Sequence, residues 1–454
     1  MVRVVLTRLL LAAVRLFFRR IEVTGVDRVP ATGPVIFAIN HPNGLVDPLL
    51  VLCHAPRPVS FLGKAPLFRM PVIGWLARAF DAIPVYRHRD AGSDVRQNRE
   101  TFARARALLD RGGTIAIAPE GVSHDDPRLR PLKTGAARIA LGAGTTYPVT
   151  IVPVGLFYTD KAVFRSAALV CFGEPFPVTP VPLDARGEPP AAQVAAVSAR
   201  IDEALSTTVV EADDHESDSL VIRAERLLSA ALPGGSQRGL EEVLAARQAL
   251  TEGHRRLRQT DPDSLDHLIR RIDRLEAAFQ RVNIHPAEAR PTALGLRGLA
   301  LGIWWLTARI VVFLPLALPG LVVHFPAYWL IGRVAKVLAR GHRDVVATIK
   351  IIAAAVFYPL TWIIVAVIVG RQLGAGLAWA ALAVGPMTGF AAVKFVERFD
   401  RFVSRARVWG FYLTEPDEIT RLATARDALR AELLSLADRL GLPTPNRTAA
   451  RAVR

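Results

Sequence analysis

The chain has 454 residues, of which 57 are Lys or Arg and 41 are Asp or Glu, a formal charge of +16. With 51% of its residues hydrophobic it is not a mainly disordered chain, and its two cysteines, Cys53 and Cys171, exclude a disulfide scaffold and a paired-cysteine zinc module. A high apolar fraction under a strong positive charge leaves a membrane or a polyanion as partner, in a chain long enough for roughly two to three domains.

The first twenty residues, MVRVVLTRLLLAAVRLFFRR, carry five arginines and no acid. The apolar run Leu9–Val14 is too short for a secretory signal, and no cleavage site of small residues follows it. On a helix Arg8, Arg15 and Arg19 fall near one stripe. That suits a helix lying in a membrane interface, arginines on anionic headgroups and Leu and Phe in the acyl boundary. The alternative is an amphipathic helix packed on the following domain.

Residues 21–180 alternate between strand-like and helix-like runs. Strands are expected at Glu22–Gly25, Val35–Ile39, Val59–Leu62, Ala82–Tyr86, Thr114–Ala118, Thr150–Phe157 and Ala168–Phe172. Helices are expected at Pro48–Cys53, Pro71–Ala79, Val95–Asp110 and Gly135–Gly142. The alternation predicts an α/β domain, a sheet flanked by helices. The proline-rich stretch Pro175–Pro190 closes it. A helical region of unknown role follows over 191–285. Leu220, Ile222, Leu227, Leu228 and Ala231 mark one apolar face there, and Leu265, Leu268, Ile269, Ile272, Leu275 and Phe279 mark another.

The last third has three stretches without Asp, Glu, Lys or Arg: Ile310–Gly332, Ile351–Gly370 and Gln372–Val393. Runs of about 20 apolar residues span a bilayer, so residues 296–395 are expected to form a membrane domain, with a cytoplasmic helical tail over 396–454. The first stretch, from about Gly298 to Ile331 and interrupted by Arg309, is too long for one ~30 Å span. Pro315, Pro319 and Gly320 in its middle suggest a bent or re-entrant hairpin. Arg333, Lys336, Arg340 and Arg343 follow it; Lys394, Arg398, Arg401 and Arg405 follow the third run. The positive-inside rule makes both groups cytoplasmic, with the Arg371 link on the other side. The expectation is a multi-pass cell-membrane protein with its α/β domain on the cytoplasmic side. The positive charge thus lies largely beside apolar spans and on the first helix, with no nucleic-acid-binding motif, so no nucleic-acid partner is expected.

Two strand ends carry candidate chemistry. Asn40-His41-Pro42-Asn43-Gly44-Leu45-Val46-Asp47-Pro48 follows an apolar strand, where α/β folds place their sites. An aspartate near a histidine fixes its tautomer and leaves the second ring nitrogen as a base. Asp47 before Pro48 also reads as a plain helix N-cap, and Asn43-Gly44 as a plain turn. Ala118-Pro119-Glu120-Gly121-Val122-Ser123-His124 ends a second strand. Gly121 allows close backbone approach there, and successive amides form an anion-binding nest. Ser123-His124-Asp125 imitates a nucleophilic triad in letters only, since neighbours in sequence seldom reach that geometry. Arg87 and Lys133 are candidates for a phosphate clamp or are solvated surface charges.

The ordered blocks NHPNGLVDP, IPVYR, APEGVSH and VPVG resemble those of the glycerolipid acyltransferase superfamily. EGVSHDDPRLRPLKTGAARIAL is closest to its fungal-type glycerol-3-phosphate/dihydroxyacetone-phosphate acyltransferase branch. The resemblance covers roughly residues 20–180, and more loosely the stretch from Asp344 to Lys350. It implies a mixed sheet flanked by helices and acyl transfer from acyl-CoA or acyl carrier protein to a glycerol-phosphate or lysophospholipid acceptor, with anionic membrane lipids as surroundings and no cofactor or metal. It implies His41 as general base and Asp47 as its orienting carboxylate. Arg87, Glu120 and Gly121 would bind the acceptor phosphate, and Pro153 would be a donor-binding or structural position. Two departures stand out: five residues rather than four separate His41 from Asp47, and no arginine follows Gly121. Lys133 and Arg138 are the candidate replacements for that arginine. Acylation at sn-2 of lysophosphatidate is the rival activity, and a non-catalytic lipid-binding scaffold the rival class.

Overall fold

A computed structural model describes residues 2–87, 98–145, 147–230, 239–289 and 296–443. Val95–Gln97, Ala231 and the tail beyond 443 lie outside the described residues, as do the side chains of Arg309, Arg401 and Arg405. The elements are α1 (Val2–Phe17), β1 (Arg20–Thr24), β2 (Val35–Ile39), α2 (Val46–His54), β3 (Ser60–Lys64), α3 (Pro71–Ala79), β4 (Ile83–Val85), α4 (Asn98–Asp110), β5 (Thr114–Ile117) and α5 (Gly135–Leu141). Then come β6 (Val149–Tyr158), β7 (Ala167–Phe172), β8 (Phe176–Val178), α6 (Ala191–Ser206), α7 (His215–Ala230), α8 (Leu240–Thr260) and α9 (Pro262–Val282). The long helices α10 (Leu296–Ala339), α11 (Arg343–Leu373) and α12 (Ala375–Thr414) and the terminal α13 (Pro416–Arg439) complete the chain. It divides into two compact units, the first comprising residues 1–215, 239–244 and 341–348, the second the remainder.

The first unit is built on an eight-stranded mixed sheet of order β1-β7-β6-β2-β5-β3-β4, with β8 on β6. Val35–Ile39 of β2 are all buried, as expected of a central strand covered on both faces. β2 runs parallel to β5 and to β6, and β5-β3-β4 continues in parallel. The carboxyl ends of these strands therefore open on one edge of the sheet. β8, inside the stretch read as a proline-rich closure, tolerates Pro177 because among the described residues it pairs with β6 alone. The sequence boundary at 191 is also corrected. Val194, Ile201 and Leu205 of α6 join the core formed by Ile36, Ile115 and Ile139, so α6 belongs to the α/β unit. In α1, Val14, Phe17 and Phe18 beyond it are buried, whereas Val5, Arg8, Leu9, Arg15, Leu16 and Arg19 are exposed. One face of the helix is packed and the other carries the arginines with apolar side chains.

In the second unit α7, α8, α9, the end of α12 and α13 share a core that includes Leu220, Leu257, Leu268, Phe279, Val408 and Leu422. The hairpin expected around Pro315–Gly320 is not formed: α10 is one helix of 44 residues containing Pro315, Pro319 and Pro326, about 66 Å at ~1.5 Å per residue. A turn at membrane depth would strand backbone groups without partners, whereas a helix satisfies its own. Small residues hold α10 to its neighbours instead. A Cβ on Gly320 would come within 2.1 Å of the Thr388 carbonyl oxygen, and one on Gly389 within 2.7 Å of His324. His324 is buried, its Nδ1 bonded to the Gly320 carbonyl at 2.7 Å and its Nε2 accepting from the Trp362 indole at 2.8 Å. Segments of α10 (Phe313–Ala339), α11 and α12 (Ala375–Phe411) are each long and apolar enough to cross a membrane.

Candidate active site

Three adjacent parallel strands deliver the site. β2 ends at Ile39 beside Val154 of β6, and its Ala38 lies beside Ile117 of β5. Asn40-His41 after β2, Tyr158 at the end of β6 and Glu120-Gly121 after β5 consequently meet at the same edge. Asn40 fixes the first junction by bonding both backbone groups of Leu156, donating to the carbonyl at 3.1 Å and accepting from the N–H at 2.7 Å.

His41 Nδ1 lies 2.8 Å from Asp47 Oδ2. The Asp47 side chain is fully buried, whereas that of His41 is 21% exposed. The same Oδ2 accepts the Asn43 N–H at 2.7 Å, and Oδ1 accepts the Tyr158 hydroxyl. Donation by Nδ1 to the carboxylate leaves Nε2 with its lone pair. Tyr158 is the donor that sequence reasoning missed; a hydroxyl-bearing aromatic closing an otherwise apolar strand was the available signal. Burial, reinforced by the Asp47 carboxylate, raises its phenol well above the ordinary value of 10.0, so it stays a donor. Asp47 sits in the first turn of α2, but Leu45 holds the N-cap position. The carboxylate turns to the histidine rather than capping the helix.

Glu120, expected among the acceptor-phosphate ligands, has both carboxylate oxygens engaged elsewhere. Oε1 accepts the His41 N–H at 3.0 Å, and Oε2 accepts the Arg130 N–H at 2.9 Å and pairs with His124 Nε2. The residue is buried, and a carboxylate repels a phosphate, so it serves as a tie between the two loops. His124 Nδ1 in turn accepts the Asp126 N–H at 3.2 Å. The Ser123 hydroxyl donates to Asp344 at 2.7 Å rather than to a histidine, so Ser123-His124-Asp125 forms no nucleophilic relay.

Gly121 takes φ +73°, and its N–H closes the turn on the Ala118 carbonyl at 3.0 Å; this amide is therefore not one of the expected anion-binding nest. A Cβ there would lie 2.8 Å from Lys133 Nζ, which explains the glycine twice over. Arg87, just beyond β4, donates to the Gly121 carbonyl at 3.0 Å. Arg87 and Lys133 are thus brought together on Gly121. Arg138 is not: its guanidinium is paired with Glu188 and stacked over Phe102. Lys161 pairs with Asp125 at 2.5 Å and reaches the His124 carbonyl at 3.3 Å. Pro153 lies buried within β6 opposite Ala38, its carbonyl accepting the Gly173 N–H at 2.8 Å, a structural setting.

Residues 20–156 match the Acyltransferase family model. Over 79% of its length the chain is 27% identical to glycerol-3-phosphate O-acyltransferase 1 of Saccharomyces cerevisiae, covering 60% of that protein. It is 27% identical over 61% of its length to glycerol-3-phosphate O-acyltransferase 2 of the same yeast, covering 39% of it. A 1-acyl-sn-glycerol-3-phosphate acyltransferase of Brassica napus is 29% identical over 32% of the chain and is covered to 39%. The chain therefore spans between two fifths and three fifths of the length of these relatives. The residues around His41 and Gly121 lie inside the segment that matches the Acyltransferase model, and along the chain the similarity is to proteins named as glycerol-3-phosphate and 1-acyl-sn-glycerol-3-phosphate acyltransferases.

Proposed function

We propose that the chain is a membrane O-acyltransferase that moves a fatty acyl group from an acyl thioester, on CoA or acyl carrier protein, to a hydroxyl of glycerol-3-phosphate or dihydroxyacetone phosphate. The observation that carries this reading is the partly exposed His41 held by buried Asp47, with Arg87 and Lys133 gathered on the neighbouring Gly121 loop. His41 Nε2 takes the proton of the acceptor hydroxyl as its oxygen attacks the thioester carbonyl, a role worth typically ~10²–10⁴ in rate. Asp47 stabilises the imidazolium that forms. Collapse of the tetrahedral adduct breaks the carbon–sulfur bond, and the leaving thiolate takes the proton from His41. The products are an ester and a free thiol. Arg87 and Lys133 hold the acceptor phosphate as charge-assisted donors.

The membrane reading is supported by the three long apolar helices and by the exposed arginine-and-leucine face of α1. With α11 and α12 as the crossing pair and α10 beginning and ending on the same side, the arginines flanking Gly341 and the basic residues from Lys394 onward lie on the cytoplasmic side with the catalytic unit, and Gly374 lies opposite. A cysteine at Gly374 is labelled from outside intact cells and one near Arg340 is not; the reverse pattern overturns this topology.

Similarity to the 1-acyl-sn-glycerol-3-phosphate acyltransferase of Brassica napus makes sn-2 acylation of lysophosphatidate the second reading. Purified, detergent-solubilised protein is given labelled palmitoyl thioester with glycerol-3-phosphate, dihydroxyacetone phosphate or lysophosphatidate, beside His41→Ala. Transfer that requires His41 supports the enzyme, and the preferred acceptor separates the two readings. Absence of transfer to any acceptor from either thioester carrier favours a non-catalytic lipid-binding scaffold.

A further inference from the structure

Helix α11 opens at Arg343, and its start, through Thr348, belongs to the same unit as the α/β sheet. By sequence this stretch carries only the loose resemblance noted from Asp344 to Lys350 and leads into an apolar span. In the structure it touches both active-site loops. Thr348 Oγ1 accepts the Leu45 N–H at 3.0 Å, in the middle of the loop that joins His41 to Asp47. Gly44, at φ +43°, lies flat against the same turn of helix: a Cβ there would stand 2.9 Å from Thr348 Oγ1 and 3.0 Å from the Asp344 carbonyl oxygen. Asp344 is buried, and its carboxylate accepts the Ser123 hydroxyl at 2.7 Å, two residues beyond the Gly121 turn. Arg343 reaches Asp160, two residues past Tyr158, at 3.6 Å. One helical turn is therefore fastened to the segments that follow β2, β5 and β6.

These contacts complement those already described. Glu120 ties the His41 backbone to the Gly121 loop from within the sheet, while Asn43 N–H ties the His41 loop to Asp47. Neither reaches the Gly44-Leu45 peptide, whose amide has its partner on α11. A loop that carries a catalytic base and its carboxylate at its two ends loses their alignment if its centre can shift, and displacements of about 1 Å cost on the order of 10²-fold in rate.

We propose that Thr348 and Asp344 are positioning residues of the acyl transfer, holding the His41 loop and the Gly121 loop in fixed separation through the first turn of α11. This rests on the reading of His41 as the base. Thr348→Val keeps the β-branched shape and removes the acceptor; Thr348→Ser keeps the acceptor; Gly44→Ala drives a methyl into the same contact; Ser123→Ala removes the Asp344 tie. Two readouts are taken on the full-length protein in detergent: kcat and KM with glycerol-3-phosphate, and the rate at which diethyl pyrocarbonate modifies His41, measured by peptide mass against the exposed His267. Thr348→Val and Gly44→Ala are expected to lower kcat about tenfold with KM changed less than about threefold, and to change His41 modification at least about threefold, while Thr348→Ser stays within about twofold of wild type. Ser123→Ala is expected to fall between.

Wild-type kcat and wild-type His41 reactivity in Thr348→Val would overturn the proposal. So would an equal loss in Thr348→Ser, which would mean that helix packing and not the hydrogen bond matters. If the wild-type protein transfers acyl groups to no acceptor, the enzymatic reading fails by itself, and the His41 modification rates still decide whether α11 positions the loop.

Discussion

Asp47→Asn probes the site most sharply, because the geometry dictates which way the amide must face. Oδ2 of Asp47 accepts both the His41 Nδ1–H at 2.8 Å and the Asn43 N–H at 2.7 Å, while Oδ1 accepts the Tyr158 hydroxyl. The Asn43 amide can only donate, so the oxygen of an asparagine is held at the Oδ2 position and its NH₂ is turned to Tyr158, whose oxygen can accept. His41 then keeps its proton on Nδ1 and its lone pair on Nε2. What is lost is the negative charge beside the forming imidazolium. Two unit charges about 4 Å apart at an effective dielectric of about 20 interact by ~4 kcal/mol. With the proton about half transferred in the transition state the loss is ~2 kcal/mol, or about 30-fold in kcat. Where an asparagine instead forces the wrong tautomer, as in a serine-protease triad, the loss is about 10⁴-fold. Single-turnover transfer from a labelled acyl thioester, measured for wild type, Asp47→Asn and Asp47→Asn/Tyr158→Phe, separates the cases. The double variant, whose amide N–H has lost its acceptor, should be slower than the single. A loss of 10³-fold or more in the single variant, or none at all, would refute the reasoning.

Arg87→Ala and Lys133→Ala should each raise KM for the phosphate-bearing acceptor about 10- to 100-fold, the worth of one charge-assisted bond of ~1.5–3 kcal/mol, and leave KM for the thioester unchanged; a shift confined to the thioester would place both residues elsewhere. Tyr158 has a folded-state pKa raised by burial and by Asp47, so its contribution to stability is full below the unfolded value of about 10 and is lost as pH climbs above it. The stability gap between wild type and Tyr158→Phe, read from denaturation midpoints, should therefore shrink between pH 8 and pH values above 10, and a constant gap would contradict the assignment. Burial pushes the Cys53 thiol from 9.0 to about 11, which leaves about a hundredfold less thiolate at pH 8; iodoacetamide should alkylate Cys53 about a hundredfold more slowly in the folded chain than in urea, and equal rates would show the thiol to be open.

The α/β domain was legible in the sequence because its central strands are short, uniformly apolar and bounded by turn residues, a pattern that burial on both faces imposes. Val35–Ile39 is an example: the expected strand and the observed one coincide. His41, Asp47, Arg87 and Gly121 stood out as candidates because they lie within a few residues of such strand ends, and the three apolar runs because a bilayer demands length before it demands sequence. The α10 prolines misled because local propensity argues for a break, whereas a backbone in hydrocarbon has no other partner than itself. Tyr158 is 111 residues from Asp47, Ser123 is 221 from Asp344 and Leu45 is 303 from Thr348. Neither periodicity nor spacing reports pairs so distant. The sequence by itself determined which strand ends carry candidate chemistry and which segments are apolar enough for a membrane. Only the tertiary structure decided which donors meet Asp47, that both Glu120 oxygens are bonded within the protein, and that the start of α11 touches the loops that follow β2 and β5, because those depend on sheet order and packing, which bring distant residues together.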